Sequence, residues 1–220
     1  MNSVVIVGSS GHAKVIIDIV QKEGKYKIAG LLDQSRSVGE ETLGYPVIGK
    51  EQELPGLIKR YGIDGAIVAI GDNFVRAKVV AAIKDLCPDL PFVSTIHPNA
   101  SIGTEVSIGE GTVIMAGASI NPCSSIGRFC ILNTNCSLDH DSILHDFASL
   151  APGSTAGGNC HIGQYSAISI GAIVIHGIHI GEHTVIGAGS LVNKPIESFV
   201  VAYGSPALPV RSRKEGDKYL

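Results

Sequence analysis

Tryptophan is absent from this 220-residue sequence, aromatic residues make up only 5% of it, and it contains no long basic run. The formal net charge is −3, so the chain offers no electrostatic footprint for nucleic acid or for an anionic membrane surface. No apolar run reaches the length needed to cross a membrane. We therefore expect small-molecule partners, and neither nucleic acid nor membrane among them.

Signals for export and for disulfide bonding are also lacking. The N-terminal segment MNSVVIVGSSGH has no basic region and is interrupted at Gly8, which is not typical of a secretory signal. The five cysteines form no CxxC pair and are odd in number, which argues against a disulfide framework. These absences predict a cytoplasmic protein with buried thiols.

A six-residue repeat fills the second half of the chain. An aliphatic residue recurs at every sixth position from Ile96 to Val192 without a gap, and a mostly small side chain lies four residues after each one. This period is typical of a prism in which each side contributes one inward side chain and then a turn, at which glycine is favoured. Three sides make a coil of eighteen residues, so the pattern predicts about five stacked coils of a parallel β-helix.

The first 95 residues lack the repeat and alternate short apolar strands with helical patterns. Strands are expected in VVIVG at 4–8, AGLLD at 29–33 and GAIVAIG at 65–71. This alternation predicts a small Rossmann-like parallel sheet with covering helices. Ligands of such sheets bind beyond the carboxyl ends of the strands, where 8–12, Asp33 and 71–73 fall.

The GSSGHA segment at 8–13 is not the complete GxGxxG fingerprint, and a plain strand-to-helix turn also needs glycine. Two glycines at a helix N-terminus could equally bind phosphate, and Asp33 lies where a ribose-binding carboxylate is expected. A dinucleotide needs two such halves and only one is present. The sequence therefore favours a nucleotide or a nucleotide sugar over NAD.

His140 lies between two carboxylates, Asp139 and Asp141, in the segment SLDHDSILH. In the six-residue register its side chain faces outward, and Gly157 and Gly158 stand one coil above it. An imidazole beside glycine N–H groups would combine a base with an oxyanion donor. Either aspartate could fix the imidazole tautomer, Asp141 only if the backbone bends there. The alternative is a solvated polar corner without function.

Motifs along the whole chain resemble one family, the bacterial nucleotide-sugar N-acetyltransferases. This family includes the 4-amino-sugar N-acetyltransferases of bacillosamine and perosamine pathways, with sialic acid O-acetyltransferases as close relatives. Besides the hexapeptide series, the resemblance is carried by VVIVGSSGHAKVI at the start, LLD at 31–33, GYPVIG at 44–49, AIGDNFVR at 69–76, ILNTNCSLDHDS at 131–142 and GSPA at 204–207.

The resemblance implies a domain organisation and an activity. Residues 1–95 would form the Rossmann-like nucleotide-sugar-binding domain, 96–194 the left-handed β-helix acetyltransferase domain, and 195–220 a tail near the CoA site. The enzyme would be a homotrimer in glycan biosynthesis that uses acetyl-CoA as co-substrate without a metal. It would acetylate the 4-amino group of a UDP- or GDP-linked sugar.

The resemblance also implies roles for individual residues. His140 would be the general base for direct attack on acetyl-CoA, Asp141 its acidic partner, and the Gly158 N–H would face the thioester carbonyl. The nucleotide sugar would contact Gly8, Ser10, Gly11, His12, Asp33, Gly71, Asn73, Arg76 and Asn133. The CoA site would comprise Gly158, Ser149, Gly204, Pro206 and Arg211. Ser149 stands where some members carry a second histidine, so a second histidine contact to the acetyl group is not expected here.

Three other functions stay open. A sialic acid O-acetyltransferase is the alternative within the same class. A zinc hydratase is raised by the histidines of the β-helix, namely His140, His145, His161, His176 and His179. A non-catalytic scaffold that binds a sugar is the third. Because His140 and His145 occupy different positions of their repeats, we expect no metal. His145, His161, His179 and His183 are expected at the surface or in an interface.

Overall fold

The computed structural model describes residues 1–218, which form two compact units that divide between Pro98 and Asn99. The functional roles assigned above to the segments 1–95, 96–194 and 195–220 stay predictions. No helix among the described residues is long and apolar enough to cross a membrane.

The first unit is a small α/β layer structure. Its elements are β1 (Ser3–Val7), α1 (Gly11–Glu23), β2 (Lys27–Leu32), β3 (Glu41–Thr42), β4 (Tyr45–Gly49), a 3-10 turn (Glu51–Glu53), α2 (Leu54–Tyr61), β5 (Gly65–Val68), α3 (Asn73–Leu86) and β6 (Thr95–Ile96). The sheet has the order β3-β4-β2-β1-β5. All neighbours are parallel except β3, which is antiparallel to β4.

The apolar run Val4–Val7 explains why β1 lies in the middle of this sheet. These four side chains are completely buried, as expected for a parallel strand that is covered on both faces. The carboxyl ends of β1, β2 and β5 lie side by side, because β1 pairs with both of the others. The predicted Rossmann-like sheet is thereby confirmed.

The second unit is built from sixteen two-residue strands followed by a hairpin. The short strands are β7 (Ser101–Ile102), β8 (Ser107–Ile108), β9 (Val113–Ile114), β10 (Ser119–Ile120), β11 (Ser125–Ile126), β12 (Ile131–Leu132), β13 (Ser137–Leu138), β14 (Ile143–Leu144), β15 (Ser149–Leu150), β16 (Thr155–Ala156), β17 (His161–Ile162), β18 (Ala167–Ile168), β19 (Ile173–Val174), β20 (His179–Ile180), β21 (Val185–Ile186) and β22 (Leu191–Val192). The hairpin is β23 (Val200–Gly204) and β24 (Ala207–Ser212), which extends one of the sheets.

Every third short strand pairs in parallel with the same register, which makes the three sheets of a prism. Leu138, for example, lies between Ile120 on one coil and Ala156 on the next, a spacing of eighteen residues in each direction. The inward aliphatic side chains are buried from Ile114 to Val192, whereas Ile102 in the first coil exposes 37% of its surface. The repeat therefore predicted both the parallel β-helix and its winding, and the fold is the left-handed β-helix implied by the resemblance.

The turns of the prism lie at one fixed position of the repeat. From Glu105 to Gly189, every sixth residue has a positive φ, and this residue stands three positions after the inward aliphatic. The glycine that directly follows the aliphatic has another purpose. At Gly109 an added Cβ would lie 2.6 Å from the carbonyl carbon of Gly127, so glycine is required there by the close stacking of coils.

Two expectations about individual side chains were wrong. Cys123 is exposed, whereas the other four cysteines are buried, because Cys123 occupies a positive-φ turn rather than an inward position. His183 is buried, with only 6% of its surface exposed. It also occupies a turn, where its ring stacks between those of Tyr165 and Phe199 at centroid distances of 4.5 and 4.9 Å.

Candidate active site

The turn that follows β13 carries His140 at a corner of the prism. The backbone of this turn is held from both sides: the Asp141 N–H donates to Pro122 O on the coil below, and the Asn159 N–H donates to His140 O from the coil above. Asp141 has the positive φ of the turn, 56°. Neighbouring side chains of a regular strand point to opposite faces, so His140 and Asp141 can meet only where the backbone bends. The positive φ of Asp141 provides this bend.

The two aspartates that flank His140 make different contacts. Asp141 Oδ2 lies 2.8 Å from the imidazole Nδ1, so a neutral ring with its proton on Nδ1 leaves Nε2 as the basic atom. Asp139 instead accepts the backbone N–H of His140 through Oδ1 at 2.8 Å. Asp141 is therefore the residue that orients the ring, a choice that the sequence left open.

The pKa of His140 is raised above its ordinary value. The hydrogen bond that Nδ1–H donates to Asp141 is the largest cause and the negative charge of Asp139 is the second. Both favour the imidazolium form. A histidine with a raised pKa is a stronger base than a free imidazole. Because 53% of the His140 side chain is exposed, a bound substrate can reach the ring.

Gly158 lies against the ring of His140, as the eighteen-residue winding predicted. A Cβ at this position would be 2.7 Å from both Cε1 and Nε2 of the imidazole, so the absence of a side chain makes room for the ring. Gly158 is buried, and no atom of residues 1–218 accepts its backbone N–H. An unpaired buried N–H beside a base is suited to an oxyanion.

Gly157 does not supply a second N–H group, contrary to expectation. Its N–H donates to Val174 O at 2.9 Å, as part of the ladder between β16 and β19. Glycine is needed at 157 for another reason, since a Cβ there would lie 2.7 Å from the backbone nitrogen of His176. Of the two glycines, Gly158 is thus the potential oxyanion donor.

Asn121 is a member of this cluster that sequence reasoning missed. Its Nδ2 donates to Asp139 Oδ1 at 2.5 Å. The signal was present in the winding, because 121 is eighteen residues before 139, as Gly158 is eighteen after His140.

In the first unit, the glycine-rich segment behaves largely as a structural turn. Gly8 has a φ of +105°, and a Cβ there would lie 2.9 Å from Ala69 O. Its N–H already donates to Leu32 O at 2.7 Å and is not available for a phosphate, in contrast to the prediction. Ser10 and Gly11 remain exposed, at the N-terminus of α1.

Both oxygens of the Asp33 carboxylate accept hydrogen bonds from the protein, and its predicted contact with a ribose stays a prediction. Oδ2 accepts the hydroxyl and the N–H of Ser9 at 2.5 and 3.1 Å. Oδ1 accepts the N–H groups of Ser35 and Arg36 at 2.8 and 3.1 Å. Burial by itself raises the pKa of Asp33, but these hydrogen bonds outweigh it and lower the pKa. The Asp33 carboxylate therefore connects the loop after β1 to the loop after β2.

Arg76 and Asn73 are also not arranged for direct contact with a ligand, since each is only 1% exposed. The Arg76 guanidinium donates to Ile70 O and Gly71 O, each at 3.0 Å, and to Asn73 Oδ1 at 2.7 Å. Arg76 therefore shapes the loop after β5, in which Gly71 remains exposed.

His12 is held neutral beneath this edge of the sheet. Burial, and then the charge of Arg76, lower the pKa of His12 from 6.5 to about 4, and its Nε2 is buried without a hydrogen-bond partner among the described residues. In the unfolded chain His12 becomes protonated as the pH falls below 6.5, whereas in the folded chain it becomes protonated only near pH 4. The resulting stability is present above pH 6.5 and is lost as the pH falls.

We expect this loss to be about 2 kcal/mol between pH 7 and pH 5. Urea unfolding at both pH values should show a larger decrease for the natural protein than for His12→Gln, which cannot titrate at this position. The other titrating groups are common to both proteins and cancel in the comparison. Equal decreases would mean that His12 accepts a proton in the folded state.

The remaining predicted residues do not converge on His140 within one chain. Asn133 follows β12 and Ser149 begins β15, and both of these strands belong to a different sheet from β13. Asn133 Oδ1 accepts the N–H of Thr134 at 2.8 Å. Gly204, Pro206 and Arg211 lie in or between β23 and β24 and are exposed.

Metal ligands do not assemble among residues 1–218: no group of three or more histidine, cysteine, aspartate or glutamate side chains is arranged to hold an ion. His161 and His179 come together, but as parallel stacked rings with centroids 4.4 Å apart and an interplanar angle of 16°. Two rings supply at most two of the four ligands that a tetrahedral zinc site needs.

Comparison with known proteins adds three findings. Residues 3–83 match the PglD N-terminal domain family. A segment of 122 residues is 34% identical to the UDP-N-acetylbacillosamine N-acetyltransferase of Bacillus subtilis, and it covers 53% of this chain and 52% of that relative. The chain thus aligns with about half the length of this curated relative.

Two solved structures are similar over nearly the whole chain. One is a His-to-Asn variant of perosamine N-acetyltransferase from Caulobacter crescentus in complex with CoA and GDP-perosamine. It is 35% identical with a TM-score of 0.90, over 96% of this chain and 98% of that one. The other is the acetyltransferase domain of PglB from Neisseria gonorrhoeae with acetyl coenzyme A. It is 31% identical with a TM-score of 0.88, over 96% and 100% of the two chains.

Proposed function

The chain belongs to the nucleotide-sugar N-acetyltransferase family, and from this membership we propose that it transfers the acetyl group of acetyl-CoA to the 4-amino group of a UDP- or GDP-linked sugar. The observation that carries the proposal is the contact between His140 and Gly158. A base oriented by Asp141 lies directly beside a buried, unpaired N–H group.

The chemistry follows from these groups. As the neutral 4-amino group attacks, its nitrogen lone pair forms a bond to the thioester carbonyl carbon, and Nε2 of His140 takes one proton from that nitrogen. The Gly158 N–H stabilises the negative oxygen of the tetrahedral intermediate. The C–S bond then breaks, and the imidazolium returns its proton to the leaving thiolate of CoA. No acyl-enzyme forms, because both substrates are bound at once and their orientation supplies much of the acceleration.

The first unit is proposed to bind the nucleotide sugar at the carboxyl edge of its sheet. Three of the predicted contacts are exposed, namely Ser10, Gly11 and Gly71. At a fourth, His12, the buried Nε2 has no hydrogen-bond partner among the described residues. Asn133, Ser149 and the 204–211 hairpin lie away from the His140 corner, and they are proposed to serve sugar and CoA through a neighbouring subunit.

We propose a homotrimer as the assembly that would bring such a neighbour to the site. Exposed isoleucines support an interface on the prism, since Ile170 and Ile173 expose 62% and 49% of their surfaces. Contiguous exposed apolar patches often mark protein–protein interfaces. We also propose that the enzyme acts in the cytoplasm, where acetyl-CoA is available as co-substrate.

The proposal is tested by acetyl-CoA-dependent thiol release against a panel of UDP- and GDP-linked amino sugars and sialic acids. We expect release with a 4-amino nucleotide sugar and an amide-linked acetyl group in the product. Release only with sialic acids would support O-acetylation instead, and no release with any acceptor, although the ligands bind, would support a scaffold. Metal analysis of the purified protein tests the hydratase alternative.

A further inference from the structure

Asp139 is the second carboxylate beside His140, and the proposed reaction assigns it no role. It does not touch Nδ1, which is taken by Asp141. Its Oδ1 instead accepts two hydrogen bonds, from the His140 N–H at 2.8 Å and from Asn121 Nδ2 at 2.5 Å. One oxygen thus joins the coil below the histidine to the peptide that carries the imidazole.

The position of this oxygen matters because the other hydrogen bonds at this corner leave the His140 N–H without an acceptor. Asp139 N–H donates to Ala156 O, and Ser124 Oγ donates to Asp139 O at 2.9 Å. These bonds fix the path of the chain but do not reach the His140 N–H. Without Asp139 that N–H would lose its acceptor, and without Asn121 the accepting oxygen would lose the hydrogen bond that holds it, so the ring would lose one constraint on its placement over Gly158.

We propose that Asn121 and Asp139 are a positioning pair, which fixes the turn carrying His140 and keeps a second negative charge beside its ring. The pair acts through His140 and not on the substrate, so the inference rests on the proposed function for its catalytic consequence. Asn121 is the part that keeps Asp139 in place: its hydrogen bond is the largest influence that lowers the pKa of Asp139. The carboxylate therefore stays charged where His140 titrates.

Two variants separate the two parts of this inference. Asp139→Asn keeps an oxygen for the His140 N–H but removes the negative charge. Asn121→Ala keeps the charge of Asp139 but removes the hydrogen bond that holds its Oδ1 in place. We expect Asp139→Asn to lower the pKa of His140, because the carboxylate charge favours the imidazolium. We expect Asn121→Ala to lower kcat several-fold with KM unchanged, since small errors in placing a base reduce rates strongly.

The decisive measurement is the titration of the His140 ring by NMR in the uncomplexed protein, with the signal assigned by its loss in His140→Gln. This readout does not depend on turnover. The acid limb of kcat/KM against pH is measured in parallel, and it should move to lower pH in Asp139→Asn. Thermal unfolding of both variants excludes a general loss of structure.

The outcomes are distinguishable from failure of the proposed function. A lowered His140 pKa in Asp139→Asn without any acetyl transfer in the natural protein would support the pair and reject the function. An unchanged His140 pKa in Asp139→Asn, or natural kcat in an Asn121→Ala protein that folds normally, would overturn the inference.

Discussion

His140→Ala is expected to lower kcat by about 10²–10⁴-fold, the usual contribution of a positioned general base. KM for acetyl-CoA and for the nucleotide sugar should change little, because the exposed imidazole acts on the reacting amine and is not needed to hold either substrate. Steady-state kinetics with the acceptor identified by the panel would measure both constants. The purified variant should retain its melting temperature, since the ring is exposed and its removal leaves no buried cavity.

His145→Ala is the matched control. His145 is another exposed histidine on the same prism, in the next turn along the chain, and its loss should leave kcat within a factor of about two because it has no part in the proposed site. Near-natural turnover in His140→Ala would reject the assignment of the base. Equal losses in the two variants would indicate a general effect on the β-helix.

Gly158→Ala is expected to lower kcat by about 10²-fold, although it adds a single methyl group. The added Cβ would lie 2.7 Å from Nε2 of His140, which is closer than two such atoms approach, so the imidazole has to move. A displacement of about 1 Å in a catalytic group costs a factor of this size. The φ of Gly158 is not in the left-handed region, and alanine should therefore be tolerated by the backbone.

Two comparisons test this explanation. Gly56→Ala is the control, because a Cβ at Gly56 meets nothing within 4 Å, and it should leave kinetics unchanged. In a His140→Ala background, Gly158→Ala should have almost no further effect, since the ring that it displaces is gone. Additive losses in the double variant would show that Gly158→Ala acts through something other than the imidazole.

The periodic part of the fold was predictable because each coil contacts only its two neighbours. Once the aliphatic period was known, the partner of any residue followed by adding or subtracting eighteen. The eighteen-residue step predicts that Gly158 lies over His140, and it predicts equally that Asn121 lies beneath Asp139. It could not locate the turns, since six-residue periodicity alone does not say which residue takes a positive φ.

The loops of the first unit were less predictable. Asp33 and Arg76 are charged residues at the ligand-binding edge of a parallel sheet, which made them reasonable candidates for substrate contact. In the structure their polar atoms are used by the protein itself, by Ser9, Ser35 and Arg36 in one case and by the carbonyls of Ile70 and Gly71 in the other. No sequence period relates these partners.

The amino-acid sequence by itself determined the winding of the β-helix, the inward and outward faces, and the residue stacked above His140. These properties depend on nearest-neighbour stacking of identical units, which a repeat encodes directly. Only the tertiary structure decided that Asp141 orients the ring, that Gly158 rather than Gly157 offers an unpaired N–H group, and that both oxygens of Asp33 accept hydrogen bonds from the protein. Which donor pairs with which acceptor depends on several groups that compete for one partner. The local backbone angles decide this competition, and no single sequence motif specifies them.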